Sequence, residues 1–224
     1  MTIKGTGLLA IWSTVDADFE TDYLHWLTRE HVFERVAVPG FRSGRVLRRR
    51  GSAPSEYMIL YEQDNAQVMS SDGYQARLNQ PTPWTQRVMP NLQKFRRGGG
   101  TIVRQSGHAC AFGACMAVAR FEDGLPEVLL GDASSATWKR ISDIDRVVNM
   151  YAMEVAADGT QIATKEKSMR RGGEGIFKGA FLLEALDGDA LERAIDAAVA
   201  DLAVPAGQFE IYDLVFAYAD RPAG

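Results

Sequence analysis

Side chains able to do chemistry are few in this sequence, and they gather in one stretch, residues 16–41, DADFETDYLHWLTREHVFERVAVPGF. It carries His25 and His31, two of the three histidines. An imidazole titrates near neutral pH, so it can act as a general base or hydrogen-bond a phenol or carbonyl oxygen. His31 is the candidate catalytic residue. Its structural alternative is a pairing with Glu34, Arg35 or a backbone carbonyl. His25 lies six residues earlier, on a different helical face, so the two histidines do not form a metal site on one helix. No other His/Asp/Glu grouping has a metal-ligand spacing. The expectation is therefore no metal and no cofactor.

Arg45 can hold a carboxylate bidentately, or it can pair with Glu30 or Glu34 and tie the helix to the sheet. With Trp12, Trp26, Tyr61 and Trp84 it makes up the candidate ligand-binding set; such aromatics line apolar clefts or simply fill a core. The basic run at 45–50, RVLRRR, reads as a strand with one solvated face rather than a phosphate site. No G-x-S-x-G, Walker or Rossmann glycine pattern occurs. The glycines at 98–100 follow two arginines, but no Lys-Ser/Thr follows them. Cys110 and Cys115 stand five apart on an expected strand, hence on opposite faces, and should remain unpaired. In the second half Tyr151, Lys178, Tyr212 and Asp213 are polar residues on or near strands.

The elements that must position these groups follow from the pattern. Phe19, Tyr23, Trp26, Leu27 and Glu30 recur at three-and-four spacing, which predicts one amphipathic helix. Asp16 or Asp18 caps it, acidic residues fill its first turn, and Pro39-Gly40 stops it. Strands are expected at 7–13, 41–50, 56–62 and 95–105. Tyr57, Ile59 and Tyr61 then share one face, Met58 and Leu60 the other. The glycines at 98–100 suggest a bulge or turn in the fourth strand. Helical pieces at 66–79 and 84–92 complete a β-α-β-β-α-β order. The second half repeats it: strands at 111–121, 146–155, 176–186 and 209–218, a short helix near 134–141, and a helix at 189–202 capped by Asp187 or Asp189. A long polar connection covers 158–174. The two halves, 1–106 and 107–224, share a pattern rather than an identity, and duplication of a unit of about 110 residues is the simplest account. Each unit is a split βαβ with one apolar sheet face left to cover. Two units in one chain can cover each other, which predicts an α+β fold of tandem ferredoxin-like units.

The chain has 224 residues, 46% apolar and 24% charged, with a net charge of −4. That is an ordinary globular composition and not the basic balance of a general nucleic-acid binder. No run is long and apolar enough for a membrane span, and the N-terminus lacks a signal-peptide cleavage pattern. A cytoplasmic location and no membrane partner are expected.

The motif W-x4-H-x2-ER-x3-PGF-x3-R, from Trp26 through His31, Glu34-Arg35 and Pro39-Gly40-Phe41 to Arg45, resembles small bacterial members of the dimeric α/β-barrel superfamily. Tyr61-Glu62, Tyr74, Pro81-Thr82-Pro83-Trp84 and Phe95-Arg96 look like later landmarks of that group, and a related element occurs in EthD-like proteins. The likeness covers about residues 8–105. It implies an intrachain dimeric α/β-barrel, with the first helix over the sheet and a pocket beside His31. The implied partner is a small apolar or aromatic (polyketide-like) molecule, handled without metal. The superfamily's diversity keeps two alternatives: a non-catalytic structural or assembly protein with a filled barrel, and a haem-binding protein using His108 or His31. A monomer of pseudo-dimeric halves and a homodimer are both compatible with the pattern.

Overall fold

The computed structural model describes residues 5–107, 112–156 and 162–219; His108 and Cys110 lie outside them. Eight strands close into one barrel. In the first half these are β1 (Gly7–Val15), β2 (Phe41–Arg49), β3 (Ser55–Gln63) and β4 (Gln93–Gly107). In the second they are β5 (Cys115–Phe121), β6 (Val147–Val155), β7 (Gly179–Ala185) and β8 (Phe209–Ala219). The order round the barrel is β1-β3-β2-β8-β5-β7-β6-β4. Each half thus contributes a sheet of order 4-1-3-2, and antiparallel seams β2·β8 and β4·β6 join them. Closure leaves no edge unpaired among these eight strands.

The helices lie outside. Over the first half run α1 (Glu20–Trp26), a π-helical turn (Leu27–His31) and α2 (Val32–Val36), followed by α3 (Asp72–Asn79) and α4 (Pro83–Val88). The second half carries α5 (Glu127–Leu130), α6 (Ser135–Ser142), α7 (Lys165–Met169) and α8 (Gly188–Leu202).

The expected single helix over 16–41 therefore contains a π turn and begins later than an Asp16 or Asp18 cap would place it. Phe19 takes the cap position without a side-chain bond. Asp16 instead accepts from the Gln93 amide at 2.8 Å. The expected stop holds: Gly40 adopts φ +94°, which glycine tolerates, and β2 starts at Phe41. Asp187 caps α8 by accepting from the Ala190 N–H at 2.9 Å.

Strand alternation sorts the core into three layers. Tyr57, Ile59 and Tyr61 face the first-half helices. Ala117, Phe181 and Leu183 face α6 and α8, whose Ala190, Ala194 and Ala198 let that helix lie flat on the sheet. Leu8, Trp12, Leu47, Met58, Leu60, Met116, Val118 and Leu182 fill the lumen between the half-sheets.

Three expectations are corrected here. The glycines at 98–100 make neither a turn nor a bulge; β4 runs through them, and the register shifts fall at Trp12/Thr14 and Ile102/Arg104. They are needed for close approach: a Cβ on Gly98 would stand 2.3 Å from the Phe177 ring, and one on Gly100 1.7 Å from the Glu154 carbonyl oxygen. The polar connection at 158–174 contains a helix, α7. Finally, Arg45 pairs with neither Glu30 nor Glu34. It shares the lumen-facing parity of Leu47, so it points away from the helices and reaches Glu184 at 2.7 Å and Glu62 at 3.3 Å.

The basic run is likewise more than a solvated face. Arg45 is buried in the lumen with its guanidinium 4.5 Å from the Phe112 ring centre, and Arg49 meets Glu56 and Glu210 at the opposite barrel end. Arg48 and Arg50 remain outside, paired with Glu20 and Asp213.

Candidate functional site

A narrow cavity lies between the first-half sheet and its helices. Its walls include Ile11, Ser13, Tyr23, Trp26, His31 and Arg35. Tyr74, Phe95 and Arg97 continue the wall, and residues of the 162–170 segment, Glu166 and Arg170 among them, close it. About 30 Å³ of it can hold the centre of a water molecule, room for roughly two waters. It is tighter than the few hundred Å³ of a typical ligand pocket.

His31 reaches this cavity because of the π turn. One extra residue in the helical repeat re-aims the side chains around it, a device common at functional sites. The imidazole stacks on Trp26 with ring centres 4.0 Å apart and planes 31° from parallel. It is 4% exposed, and its Nδ1 has no hydrogen-bond partner among the described residues. Neither Glu34 nor a backbone carbonyl holds it. Burial, with the neighbouring Arg35 guanidinium, pushes its pKa well below the ordinary 6.5. The ring is therefore neutral and has an acceptor nitrogen to offer.

The surrounding groups are fixed. Trp26 donates through Nε1 to the Thr85 hydroxyl at 3.1 Å. Tyr23 and Ser13 share a hydrogen bond of 2.9 Å. Burial raises the Tyr23 phenol's pKa, so it stays protonated. Arg35, 2% exposed, is ion-paired with buried Glu166 of α7. Arg97 donates to the Tyr74 hydroxyl at 3.3 Å. Arg170 lies 3.8 Å from the Phe95 ring centre and pairs with Glu174. Aromatic walls are thus backed by three guanidinium groups; Glu166 and Glu174 partner Arg35 and Arg170, and Glu34 also lies 3.7 Å from Arg35.

Of the residues singled out from the sequence, His31 and Trp26 line this cavity. Tyr61 stands behind it, buried, its hydroxyl without a partner among the described residues and its ring against Phe41. Trp84 is outside, its indole N–H on Asp22 at 3.1 Å. Trp12 and Arg45 are in the lumen. The residues that sequence reasoning missed are Arg97, Glu166 and Arg170. Glu166 and Arg170 carry an i, i+4 spacing, but a segment reaching across 131 positions to Arg35 leaves no local trace.

Among the described residues no group of three or more His, Cys, Asp and Glu could hold a metal ion. Nor is any helix long and apolar enough to cross a membrane. A porphyrin does not fit beside His31 as the walls stand.

No family model matches the chain, and no curated protein matches it. Solved structures do. An anthrone oxidase-like protein superimposes with a TM-score of 0.58 at 15% identity, over 96% of this chain and 93% of the other. A monooxygenase-like protein from Fusobacterium nucleatum gives 0.60 at 11%, over 97% and 96%. A chlorite-dismutase-like protein gives 0.52 at 13%, over 94% and 96%. These are dimeric α/β-barrel proteins, and the chain has that fold, with both ferredoxin-like halves in one polypeptide. At such identities the likeness defines the fold, and the chemistry must be argued from the site.

Proposed function

We propose that the first half binds a small, mostly aromatic molecule carrying a phenol or an enolisable carbonyl, in the cavity between α1 and the sheet. The observation that carries this reading is His31, a buried imidazole that lines an aromatic-walled cavity and whose Nδ1 has no hydrogen-bond partner among the described residues. An orphaned buried polar atom costs roughly 1–3 kcal/mol, and a ligand hydroxyl that donates to it removes that cost. Trp26 and Phe95 supply apolar faces. Arg35 and Arg97 supply positive potential that stabilises charge developing on the ligand oxygen as His31 takes its proton. This pairing suits proton transfer from a phenol or from carbon next to a carbonyl, with His31 as the base. The anthrone oxidase-like and monooxygenase-like neighbours are compatible with such a substrate class. The role needs no metal.

Entry requires the 162–170 segment to part from α1, because the cavity as it stands holds only water-sized molecules. In the second half α8 packs its alanines on the sheet, so we assign the ligand to the first half. A structural protein is the competing reading, favoured by the filled lumen. Isothermal titration with phenol and 1-naphthol separates the two. Saturable binding that His31→Gln weakens about tenfold supports the binding reading. Undetectable binding of every ring compound supports the structural one.

A further inference from the structure

The barrel end opposite Arg45 and Glu184 carries inward-facing charges that the cavity beside His31 does not use. Trp12, Arg49, Glu56, Arg96, Arg120 and Glu210 surround a cleft of about 360 Å³ there, with Lys94 at its rim. It is roomier than the 30 Å³ cavity beside His31. Arg96 is the β4 partner of Trp12 across the β1·β4 ladder, so the two side chains share the lumen face. Arg120 lies over the Trp12 ring, 4.8 Å from its centre.

The charges do not balance. Glu210 takes Arg120 at 2.5 Å and Arg49 at 3.2 Å. Glu56 takes Arg49 at 3.4 Å. The buried Tyr212 hydroxyl lies 2.6 Å from a Glu56 carboxylate oxygen and 3.0 Å from a Glu210 one, and shares its one proton between them. Both carboxylates are thereby engaged, while Arg96 and Lys94 have no carboxylate partner among the described residues. Four cations against two anions leave the mouth with a formal charge of +2. Two buried donors of the same wall, Trp12 Nε1 and Arg120 Nη1, also lack partners among the described residues. Gly175 belongs to this arrangement: a Cβ there would stand 2.7 Å from Arg96 Cγ, so glycine leaves the arginine its place along the mouth.

We propose that this mouth is a second ligand site, separate from the cavity beside His31, that binds a small phosphate monoester. The dianion neutralises Arg96 and Lys94 and accepts from the indole and guanidinium N–H groups. Charge-assisted bonds to guanidinium are among the stronger polar contacts. The volume admits one ring besides the phosphate. No bond is made or broken; the site binds.

The test is isothermal titration of the full chain with phenyl phosphate and inorganic phosphate at low salt, with benzoate as the singly charged comparison. Phenyl phosphate should bind one to one, more tightly than benzoate, and more weakly as sodium chloride is added. Arg96→Gln should weaken it about tenfold or more, and Trp12→Phe, which keeps a ring and removes the N–H, should weaken it as well. His31→Gln should leave it unchanged. The thermal midpoint of each variant reports its folding. Three results overturn the proposal: no heat from either phosphate compound at millimolar concentration, unchanged affinity in a folded Arg96→Gln protein, or loss of binding in His31→Gln. The last would move the anion to the other cavity, whereas failure of phenols to bind there leaves the mouth site untouched.

Discussion

His31 carries the proposed function, and its burial makes a prediction independent of any ligand. In the folded chain its pKa lies well below 6.5, whereas unfolded it titrates near the ordinary value. Below pH 6.5 the unfolded chain therefore binds the extra proton, and stability falls as the pH drops through that window. Glu34, whose burial raises its carboxyl pKa above 4.5, contributes with the opposite sign in the lower part of the same window. Comparing variants isolates the histidine. Urea unfolding of His31→Phe should show a pH profile flatter than the parent's by up to about 1.4 kcal/mol per pH unit below 6.5; an unchanged slope would mean that the imidazole is solvated. His31 itself was legible in the sequence, through its place on an amphipathic helix. Its freedom from Glu34 was not, because a one-residue π insertion alters which side chains meet and has no compositional mark.

At the scale of elements, the pattern of turns and caps was readable wherever one residue type solves one backbone problem. Pro39-Gly40 stops the first helix, and Asp187 starts α8. Alternation in 57–61 assigned the two faces of β3. It could not say which face is lumen, since both are buried and parity alone is symmetric. That ambiguity misplaced Arg45. The glycines at 98–100 were visible, but their purpose was three-dimensional. Gly98→Ala should cost about 1–3 kcal/mol, since its Cβ would enter the Phe177 ring, which packs edge-on to Trp12 with ring centres 5.2 Å apart. Gly173→Ala, with nothing within 4 Å of its Cβ, should change stability by less than about 0.5 kcal/mol. Chemical denaturation of the two variants checks the contrast; equal effects would show that the lumen yields easily. The α7 segment escaped sequence reading because its anchor, the Glu166–Arg35 pair, joins the two halves of the chain.

At the scale of the molecule, one apolar lumen joins two polar barrel ends of different character. At one end Arg45 is balanced by Glu62 and Glu184, and Gly113 N–H also donates to Glu184 at 3.0 Å. Arg45 and Glu184 are each at most 1% exposed, so Arg45→Met strands a buried carboxylate and should cost about 3–5 kcal/mol. The double variant Arg45→Met/Glu184→Met should recover much of that loss. Additive losses in the unfolding free energies would refute the buried-pair account. The opposite end keeps excess positive charge, and the helix-covered cavity of the first half keeps an unpaired histidine nitrogen. The most direct test of the central claim is a titration with 1-naphthol followed by ¹H–¹⁵N spectra of the His31 imidazole and the Trp26 indole. The account predicts that both signals move saturably in the parent protein, and that affinity falls about tenfold in His31→Gln. Signals that stay still for every ring compound, or an affinity indifferent to that substitution, would contradict it.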